Sequence, residues 1–402
     1  MPAEAVARPP ADLSAARVRD PYPYFAWLRR NAPAHVDRRP GRPAVWQVSR
    51  YEDVRALLGD PRLSKDPGRV PGYVPGPAGL NRHLVHADPP DHTRLRTLVN
   101  TAFVPRRIAL LEPSIAEVAH RLLDRVEDSA HIDLIADFAA PLTFRMICAI
   151  LGVPGHLDTA ATRDTLMATI SPDSAADPAR AVRDLHHLLD VLIAGKRSGH
   201  ESGGADLLGA LVRAGDESGA MSEEELRSTA YLLLLVGHDT TMNLIGNGML
   251  ALLLHPSEAA RLTGPRAAPE RVASAVEELL RYDSPVRDAT FRCAGESIGL
   301  HGQTVREGEI VSLLIGSANR DGERFPDAER LDLGRTPNDH LAFGYGPHFC
   351  IGAALARLEG RVAFPLLLER LGPVQPAKPA DELPWRPARV MRGLAALPLV
   401  RR

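Results

Sequence analysis

The stretch that decides the fold is Phe343-Gly344-Tyr345-Gly346-Pro347-His348-Phe349-Cys350-Ile351-Gly352. It places Cys350 at the end of a glycine-rich loop, and the residues that follow, 353–359, are almost all strong helix formers. A sulfur at the start of a helix faces backbone N–H groups without helical partners and the positive end of the helix dipole. Both favour the thiolate, which is the form that binds a metal. The pattern therefore predicts a thiolate metal ligand at Cys350.

The other residues of this loop also fit a ligand-binding role. Gly344, Gly346 and Gly352 would let the backbone adopt torsions closed to other residues and approach a flat ligand closely. His348 lies two residues before the sulfur, where it could meet an anionic group at the edge of that ligand. The alternative is a buried, inert cysteine in a tight turn, as is usual for a lone cysteine. That alternative leaves the three glycines and the histidine unexplained.

The ten-residue pattern resembles the haem-binding loop of the cytochromes P-450, which has the form Phe, Gly, any, Gly, any, His or Arg, any, Cys, any, Gly. The resemblance implies a haem b whose iron takes its axial thiolate from Cys350. It also implies cofactor contacts from Phe343, Gly344 and His348, with dioxygen as the co-substrate.

A second landmark is a long apolar segment that begins with a capping box. Ser222 is followed three residues later by Glu225, and the apolar run continues to Leu254. At 1.5 Å per residue this helix would be roughly 48 Å long, so we predict that it crosses the core. Its centre, residues 236–241, nevertheless holds a glycine, an acid and two threonines. Such a break fits either a solvated kink or buried polar network, or a groove for dioxygen with a route for protons.

The centre of this segment resembles the family's central helix, in which an acid precedes a threonine. The resemblance implies that Asp239 and Thr240 are the catalytic pair. Thr240 would hydrogen-bond the oxygen group, and Asp239 would relay protons from solvent. Val236 stands where the family usually has a smaller residue, which narrows the predicted groove.

Three more basic residues are candidate cofactor ligands. His92 and Arg96 are four apart, so they share one face of a helix that Asp91 is predicted to cap. On spacing alone this face is either a solvated basic surface or a clamp for a carboxylate. The segment resembles the start of the family's C-helix, which implies that both side chains hold a haem propionate. Arg292 falls where the family places another propionate ligand.

A helix predicted to begin near Pro269 carries Glu278 and Arg281 three residues apart on one face. A surface pair of this kind is worth only about 0–1 kcal/mol, and the spacing alone carries little information. Its position between the central helix and the cysteine loop resembles the family's Glu-x-x-Arg pair, which a later arginine joins. Arg330 matches that third member, and we predict a structural role for all three.

The whole chain is predicted to be mainly α-helical with a smaller β-rich part, and the resemblance implies the cytochrome P-450 fold. Haem would lie between the central helix and the cysteine loop. The 402 residues contain no proline-, glycine- or serine-rich linker, so we expect one domain over residues 20–402 behind an N-terminal extension, residues 1–19. The net charge of −2 argues against a nucleic-acid role driven by bulk charge.

The three cysteines are far apart in sequence, which argues against a disulfide framework and fits a reducing compartment. One of them, Cys148, lies in an apolar run and is predicted to pack in the core. The N-terminus, residues 1–13, shows neither a signal sequence nor an apolar run of about 18 residues. No membrane-spanning anchor is predicted, so the expected location is the cytoplasm.

Periodicity and turn signals predict several further elements. The predicted helices cover residues 20–30, 51–58, 115–126, 138–151, 157–167 and 180–193. Strands are predicted at residues 45–48, around 290–292 and at 309–314, and a terminal hairpin at 389–394 is expected to reach the pocket. Loops are predicted at residues 65–80, 171–178 and 195–204, and the resemblance implies that the first two border the substrate.

The resemblance implies a haem-thiolate monooxygenase that inserts one oxygen atom from O2 into a C–H bond, by hydroxylation or epoxidation. It also implies a largely apolar small molecule as substrate, a secondary metabolite such as a polyketide or macrolide. The residues predicted to line its pocket are apolar or small: Leu233, Val236, Pro285, Val286, Ala289 and Leu394. Two alternatives stay open, namely oxidative coupling or ring closure without oxygen insertion, and a non-catalytic haem sensor.

The resemblance also implies electron donors, because the soluble bacterial members receive electrons from separate proteins. We expect a ferredoxin with its reductase, or a flavodoxin-type donor, using NAD(P)H. Four arginines are candidates for the docking face by position: Arg106, Arg107, Arg357 and Arg361. The protein is expected to be a monomer.

Overall fold

Helices dominate the computed structural model, which describes residues 8–38, 41–74, 79–170, 177–199, 206–264 and 267–401. The helices are α1 (Ala11–Ala16), α2 (Tyr22–Asn31), α3 (Tyr51–Leu58), α4 (Asp91–Asn100), α5 (Pro105–Ala109), α6 (Glu112–Asp124), α7 (Ala140–Leu151), α8 (Ala160–Ala168), α9 (Pro178–Ser198), α10 (Leu207–Ser218), α11 (Glu223–Leu254), α12 (Pro256–Ala259), α13 (Pro269–Tyr282), α14 (Ile315–Ala318) and α15 (Ala353–Arg370).

The strands form three small sheets at the edge of the helical body. They are β1 (Ala34–Asp37), β2 (Val45–Val48), β3 (Leu63–Ser64), β4 (His131–Asp133), β5 (Cys293–Ala294), β6 (Ile298–Leu300), β7 (Gln303–Val305), β8 (Ile310–Leu313), β9 (Val374–Pro376) and β10 (Pro398–Arg401). The largest sheet has the order β1-β2-β8-β5-β3, the second has the order β4-β10-β9, and β6 pairs with β7. Strand β2 runs parallel to β8, so residues far apart in sequence meet beside the cavity described below.

The central helix α11 begins and ends where the sequence predicts. The Ser222 hydroxyl accepts from the Glu225 backbone N–H, and the Glu225 carboxylate accepts from the Ser222 N–H at 2.8 Å, which completes the capping box. The helix then continues for 32 residues and is buried along most of its length. It packs against α7, α10, α13 and α15, so it crosses the core as predicted.

Several predicted elements are confirmed with shifted ends. Helix α2 begins two residues later than predicted, and α7 ends at Gly152, whose φ of 72° is the left-handed conformation that favours glycine. Helix α4 begins at Asp91 itself, so the prediction that Asp91 caps it is wrong. The Asp91 carboxylate instead accepts from Arg94, one turn further along the helix, at 2.8 Å.

The loop predictions need correction or lie partly outside the description. Residues 195–204 are not simply a loop, since α9 continues to Ser198, and α10 was not predicted at all. Within the predicted loops, residues 75–78, 171–176 and 200–204 fall outside the described residues. The predicted N-terminal extension contains the short helix α1.

One helical stretch, Leu134–Leu151, is long and apolar enough to span a membrane by length and composition, and 61% of it is buried inside the protein. A core helix has the same features.

Candidate active site

A single cavity brings the cysteine loop and the central helix together. Cys350 and Thr240 both line it. Of the predicted site residues, the following also line it: Arg96, Leu233, Val236, Pro285, Val286, Ala289, Arg292, Phe343, Gly344 and His348. His92, Asp239 and Leu394 are not among its lining residues.

Two of the three glycines in the cysteine loop have the left-handed backbone conformation that only glycine adopts readily. Gly344 and Gly346 have φ of 74° and 77°, in the left-handed region. A Cβ on Gly346 would lie 3.0 Å from the Cα of Gly59, so a side chain there would collide with the neighbouring loop. Gly352 has an ordinary φ of −84°, which corrects the expectation for that residue. The Cys350 N–H donates to the Phe343 carbonyl at 2.8 Å and closes the loop.

Cys350 lies just before α15 with its side chain exposed to the cavity. Burial raises the pKa of its thiol, whereas the Gly352 N–H and the guanidiniums of Arg96 and Arg357 lower it. The N–H groups at the helix start thus favour the thiolate as predicted, but the effect of burial is larger, so the pKa of the Cys350 thiol is raised overall. A cation bonded to the sulfur would reverse that balance, because a metal stabilises the thiolate.

The base of the loop is held by a charged group outside the cavity. Arg357 donates twice to Glu277, at 2.7 and 2.8 Å, and its guanidinium lies 4.4 Å from the ring centroid of Phe343. Glu277 is also 3.1 Å from His340, so one carboxylate ties α13, α15 and the loop together. This arrangement fixes the ring of Phe343 at the wall of the cavity.

Basic side chains converge on one end of the cavity without an anion between them. The rings of His92 and His348 lie 4.0 Å apart, and His92 Nε2 and His348 Nδ1 are buried without a hydrogen-bond partner among the described residues. Arg292 is 3% exposed and donates only to the Thr290 carbonyl, at 2.9 Å. Arg96 donates to the Phe349 carbonyl at 2.7 Å. Buried cations without counterions are costly, so this end of the cavity is built for an anionic group.

The pKa values of the basic groups at this end of the cavity are lowered, as expected for side chains that are buried beside other positive charges. Burial lowers the pKa of His348 to about 2 and that of Arg292 to about 10. Burial, followed by Arg96, also lowers the pKa of His92. An anion bound here would counteract each shift. The orphaned nitrogens and the cations therefore fit the two propionates of a haem, and Cys350 fits its iron. Within the described residues no group of three His, Cys, Asp or Glu side chains could hold a metal ion instead.

The polar residues at the centre of α11 have separate partners. Thr240 donates to the Val236 carbonyl at 2.7 Å, one turn back, and its oxygen remains able to accept a hydrogen bond. His238 Nδ1 lies 2.9 Å from the Thr143 hydroxyl. Gly237 is required for packing, because a Cβ there would lie 2.6 Å from the Ile147 side chain. This part of the helix is a buried polar network that presents Thr240 to the cavity.

Asp239 faces away from the cavity, towards a partner that the sequence did not reveal. Arg386 donates to the Asp239 carboxylate at 2.6 Å and to the Asn243 side-chain oxygen at 2.7 Å. Asp239 is 1% exposed, whereas the Arg386 side chain is 16% exposed. The acid is therefore one side chain away from solvent. The one signal in the sequence for this pair is indirect. An acid predicted to lie in a buried helix needs a partner, and Arg386 is an arginine in the C-terminal segment to which no role was assigned.

Five of the six predicted pocket residues line the cavity, and Leu394 is the exception. Leu394 is 1% exposed and forms an isolated β-bridge with Trp385. Leu394 therefore packs in the core rather than at the cavity, and Met391 pairs with Val286, which lines the cavity. Val236 is 36% exposed although it lies at the middle of a core helix, because the cavity opens beside it.

The Glu278–Arg281 pair is a fully buried lock. Arg281 donates twice to Glu278, at 2.7 and 2.8 Å, and both side chains are 0% exposed. Arg330 contributes only its backbone carbonyl, which accepts from Arg281 at 3.1 Å, and its side chain is exposed. Arg335 supplies the third side chain and the second guanidinium of this cluster, 3.2 Å from Glu278. The prediction of Arg330 as the third side chain is corrected accordingly.

We expect Glu278→Ala to lower the free energy of unfolding by about 3–5 kcal/mol, because it leaves Arg281 buried without its carboxylate. Chemical denaturation followed by circular dichroism measures this change. Glu224→Ala is the matched control, since Glu224 forms an exposed pair with Arg82 at 3.1 Å and should cost under about 1 kcal/mol. Equal effects of the two substitutions would contradict the buried lock.

Comparison with known proteins gives consistent matches. The family model "Cytochrome P450" matches residues 271–385. The chain is 44% identical over 384 residues to cytochrome P450 monooxygenase PikC of Streptomyces venezuelae, covering 94% of this chain and 91% of PikC. It is 41% identical to vitamin D(3) 25-hydroxylase of Pseudonocardia autotrophica, covering 95% and 94% of the two chains. The structure of the bacillaene polyketide synthase cytochrome P450 PksS of Bacillus subtilis 168 superposes with a TM-score of 0.86 at 36% identity, covering 96% and 97%.

Proposed function

Since this chain belongs to the cytochrome P450 family and is an oxygen-incorporating monooxygenase, we propose that it oxidises a largely apolar secondary metabolite such as a polyketide or macrolide. The observation that carries the proposal is the shared cavity of Cys350 and Thr240. Haem b would occupy it, and the Cys350 thiolate would hold its iron. A thiolate-ligated haem supplies the activation of dioxygen for insertion into a C–H bond.

The chain's own residues would hold the cofactor and direct protons. Arg96, Arg292 and His348 line the basic end of the cavity and would bind the propionates, with the His92 ring 4.0 Å from that of His348. Thr240 would accept a hydrogen bond from a protonated oxygen atom of the co-substrate. Asp239, which is paired to the partly exposed Arg386, would pass protons from solvent towards Thr240.

The substrate would be held mainly by shape. The wall formed by Leu233, Val236, Pro285, Val286 and Ala289 offers methyl and methylene groups and no charge. One relative is named for hydroxylating vitamin D(3), and another for a polyketide synthase, which supports an apolar metabolite as substrate.

The test is to screen candidate metabolites by the absorbance change that follows displacement of water from the haem. Hits are then incubated with a surrogate electron donor and ¹⁸O2, and the products are analysed by mass spectrometry. We expect one labelled oxygen atom in the product. A product that has lost hydrogen but gained no oxygen would instead indicate coupling or ring closure.

Electron transfer would use the face formed by α5 and α15, where these helices contact each other. Arg106, Arg107 and Arg361 are exposed on it. Arg357 is paired with Glu277, so it is less available to a partner than the other three. An acidic iron–sulfur or flavin protein would complement this face.

We expect Arg361→Glu to slow reduction by a ferredoxin about tenfold at low salt, with the difference shrinking as salt rises, because screening removes long-range attraction. Stopped-flow reduction measures the rate. Arg183→Glu on α9, which packs on α8, α10 and α11, is the matched control and should change little. Salt-independent reduction of the unmodified protein would exclude this face.

Three further features belong to the same proposal. Residues 20–402 would form one domain behind the extension of residues 1–19. A hydrophobic cluster that extends from Leu80 to Leu399, and the pairing of β2 with β8, support this. The protein would act as a cytoplasmic monomer. Sedimentation of the purified protein tests the oligomeric state.

A further inference from the structure

Lys65 is a buried cation that the proposed mechanism does not yet use. It lies directly after β3 and is 1% exposed. Its ammonium donates to the Thr290 hydroxyl at 2.7 Å and to the Phe291 carbonyl at 2.6 Å, and both acceptors are neutral. An ammonium has three N–H groups and is strongly hydrated in water, so this burial is costly without an anion nearby.

The nearest carboxylate does not neutralise this ammonium. Asp88 accepts from the Lys65 backbone N–H at 2.8 Å and from the Ser64 hydroxyl, so both of its oxygens are directed at other donors. No ion pair to Lys65 occurs among the residues that the structure describes. Burial lowers the pKa of Lys65 well below its usual value, Arg292 adds to this effect, and Asp88 opposes it.

Lys65 is adjacent to the basic end of the cavity. It donates to Thr290 and Phe291, the two residues directly before Arg292, which lines that end. Its acceptor Thr290 lines the cavity next to Arg292. The Thr290 oxygen accepts a hydrogen bond from the Lys65 ammonium, so the hydroxyl hydrogen of Thr290 can be donated to another group. Because Thr290 lines the cavity, that group can lie in the cavity.

We propose that Lys65 and Thr290 belong to the site that binds the acidic side chains of the cofactor. Thr290 donates a hydrogen bond into the cavity, and Lys65 polarises that hydroxyl and supplies a buried positive charge. This inference rests on the proposed function, since it assigns the cavity to a haem with two propionates. It adds to Arg96, Arg292 and His348 a charge that lies outside the cavity wall.

The competing explanation is purely structural. Lys65 would then serve only to fix the Phe291 carbonyl and the path of the chain before β5. Both explanations predict that a substitution weakens cofactor binding. They differ in whether the weakening depends on the carboxylates of the cofactor.

The experiment compares haem with its dimethyl ester, in which both propionates are neutral. Holoprotein reconstituted with either compound is mixed with excess apomyoglobin, and the rate of haem loss is followed by absorbance. We expect Lys65→Met to speed the loss of haem about tenfold to a hundredfold, the size of a charge-assisted hydrogen bond, and to leave loss of the ester nearly unchanged. Lys65→Arg should recover part of the difference.

Lys196→Met is the matched control for removing a buried lysine. Lys196 is 5% exposed and pairs with Asp206 at 3.2 Å, on the α9–α10 side of the molecule. Lys196→Met should change the rates of haem loss and ester loss by the same factor. If Lys65→Met does not fold, a comparison of Thr290→Val with Thr290→Ser tests the same point. Thr290→Val should speed the loss of haem but not of its ester, whereas Thr290→Ser should change neither rate.

Equal acceleration of haem and ester loss by Lys65→Met would overturn the inference and favour the structural explanation. No acceleration of either would overturn the inference as well, and would count against the structural explanation too. Failure of the proposed function is visible separately, because the unmodified protein would then lack a thiolate-ligated haem spectrum.

Discussion

Cys350→Ala is expected to abolish the absorption band that marks thiolate-ligated haem in the reduced, carbon-monoxide-bound protein. Cys350 is the cysteine that lines the cavity. No other sulfur can take its place, because Cys148 is 2% exposed in the core and Cys293 is fully buried in the largest sheet. Loss of the thiolate also removes the electron donation that favours oxygen cleavage, so monooxygenase activity should fall to background.

Cys148→Ala and Cys293→Ala are matched controls for this experiment. Each removes one buried thiol of the same size, and burial raises the pKa of both, to about 12 and about 11 respectively. Both variants should keep the thiolate band, with some loss of stability from the small cavity that each change creates. Persistence of the band in Cys350→Ala would show that the ligand has been assigned to the wrong residue.

The features that the sequence predicted well are local ones. The capping box of Ser222, the left-handed glycines of the cysteine loop and the end of α7 at Gly152 depend on neighbours within a few residues. The length and burial of α11 follow from an apolar composition that leaves no solvent face. Such signals are readable because the backbone itself requires those residue types.

The features that the sequence did not predict depend on contacts between distant segments. Arg335 rather than Arg330 reaches Glu278, Arg386 pairs with Asp239 across 147 positions, and Lys65 meets Thr290 across 225. The chain has 48 basic residues, of which three are lysine, so an arginine at a given position carries little information by itself. Tertiary packing decides which arginine pairs with which acid, and local sequence patterns do not encode that choice.

Helix α10 was missed for a different reason. Its segment, Leu207–Ser218, includes two glycines, which lower helix propensity and predict a turn when read alone. In the fold, a Cβ on Gly209 would lie 3.2 Å from the Asp206 side chain that caps the helix. Tertiary packing and this cap therefore outweigh the cost of the glycines.

The direction of Asp239 changes how proton delivery should be understood. An acid that lined the cavity could reach the oxygen directly, whereas Asp239 is held by Arg386 on the far side of α11. In the proposed mechanism, protons would therefore reach the cavity by a movement of the acid or through water, and Thr240, which lines the cavity, would receive them. That role would use the lone pair that remains after Thr240 donates to the Val236 carbonyl.

Thr240→Ala is accordingly expected to leave haem binding intact and to divert reducing equivalents to hydrogen peroxide. We expect the yield of product per NAD(P)H consumed to fall about tenfold or more, within the range for loss of a group that assists proton transfer. Simultaneous measurement of NAD(P)H, peroxide and product gives this ratio. Thr240→Ser keeps the hydroxyl and should retain most of the coupling, so a methyl-packing effect would appear as equal losses in both variants. An unchanged product yield in Thr240→Ala would mean that protons reach the oxygen by a path that does not use the Thr240 hydroxyl.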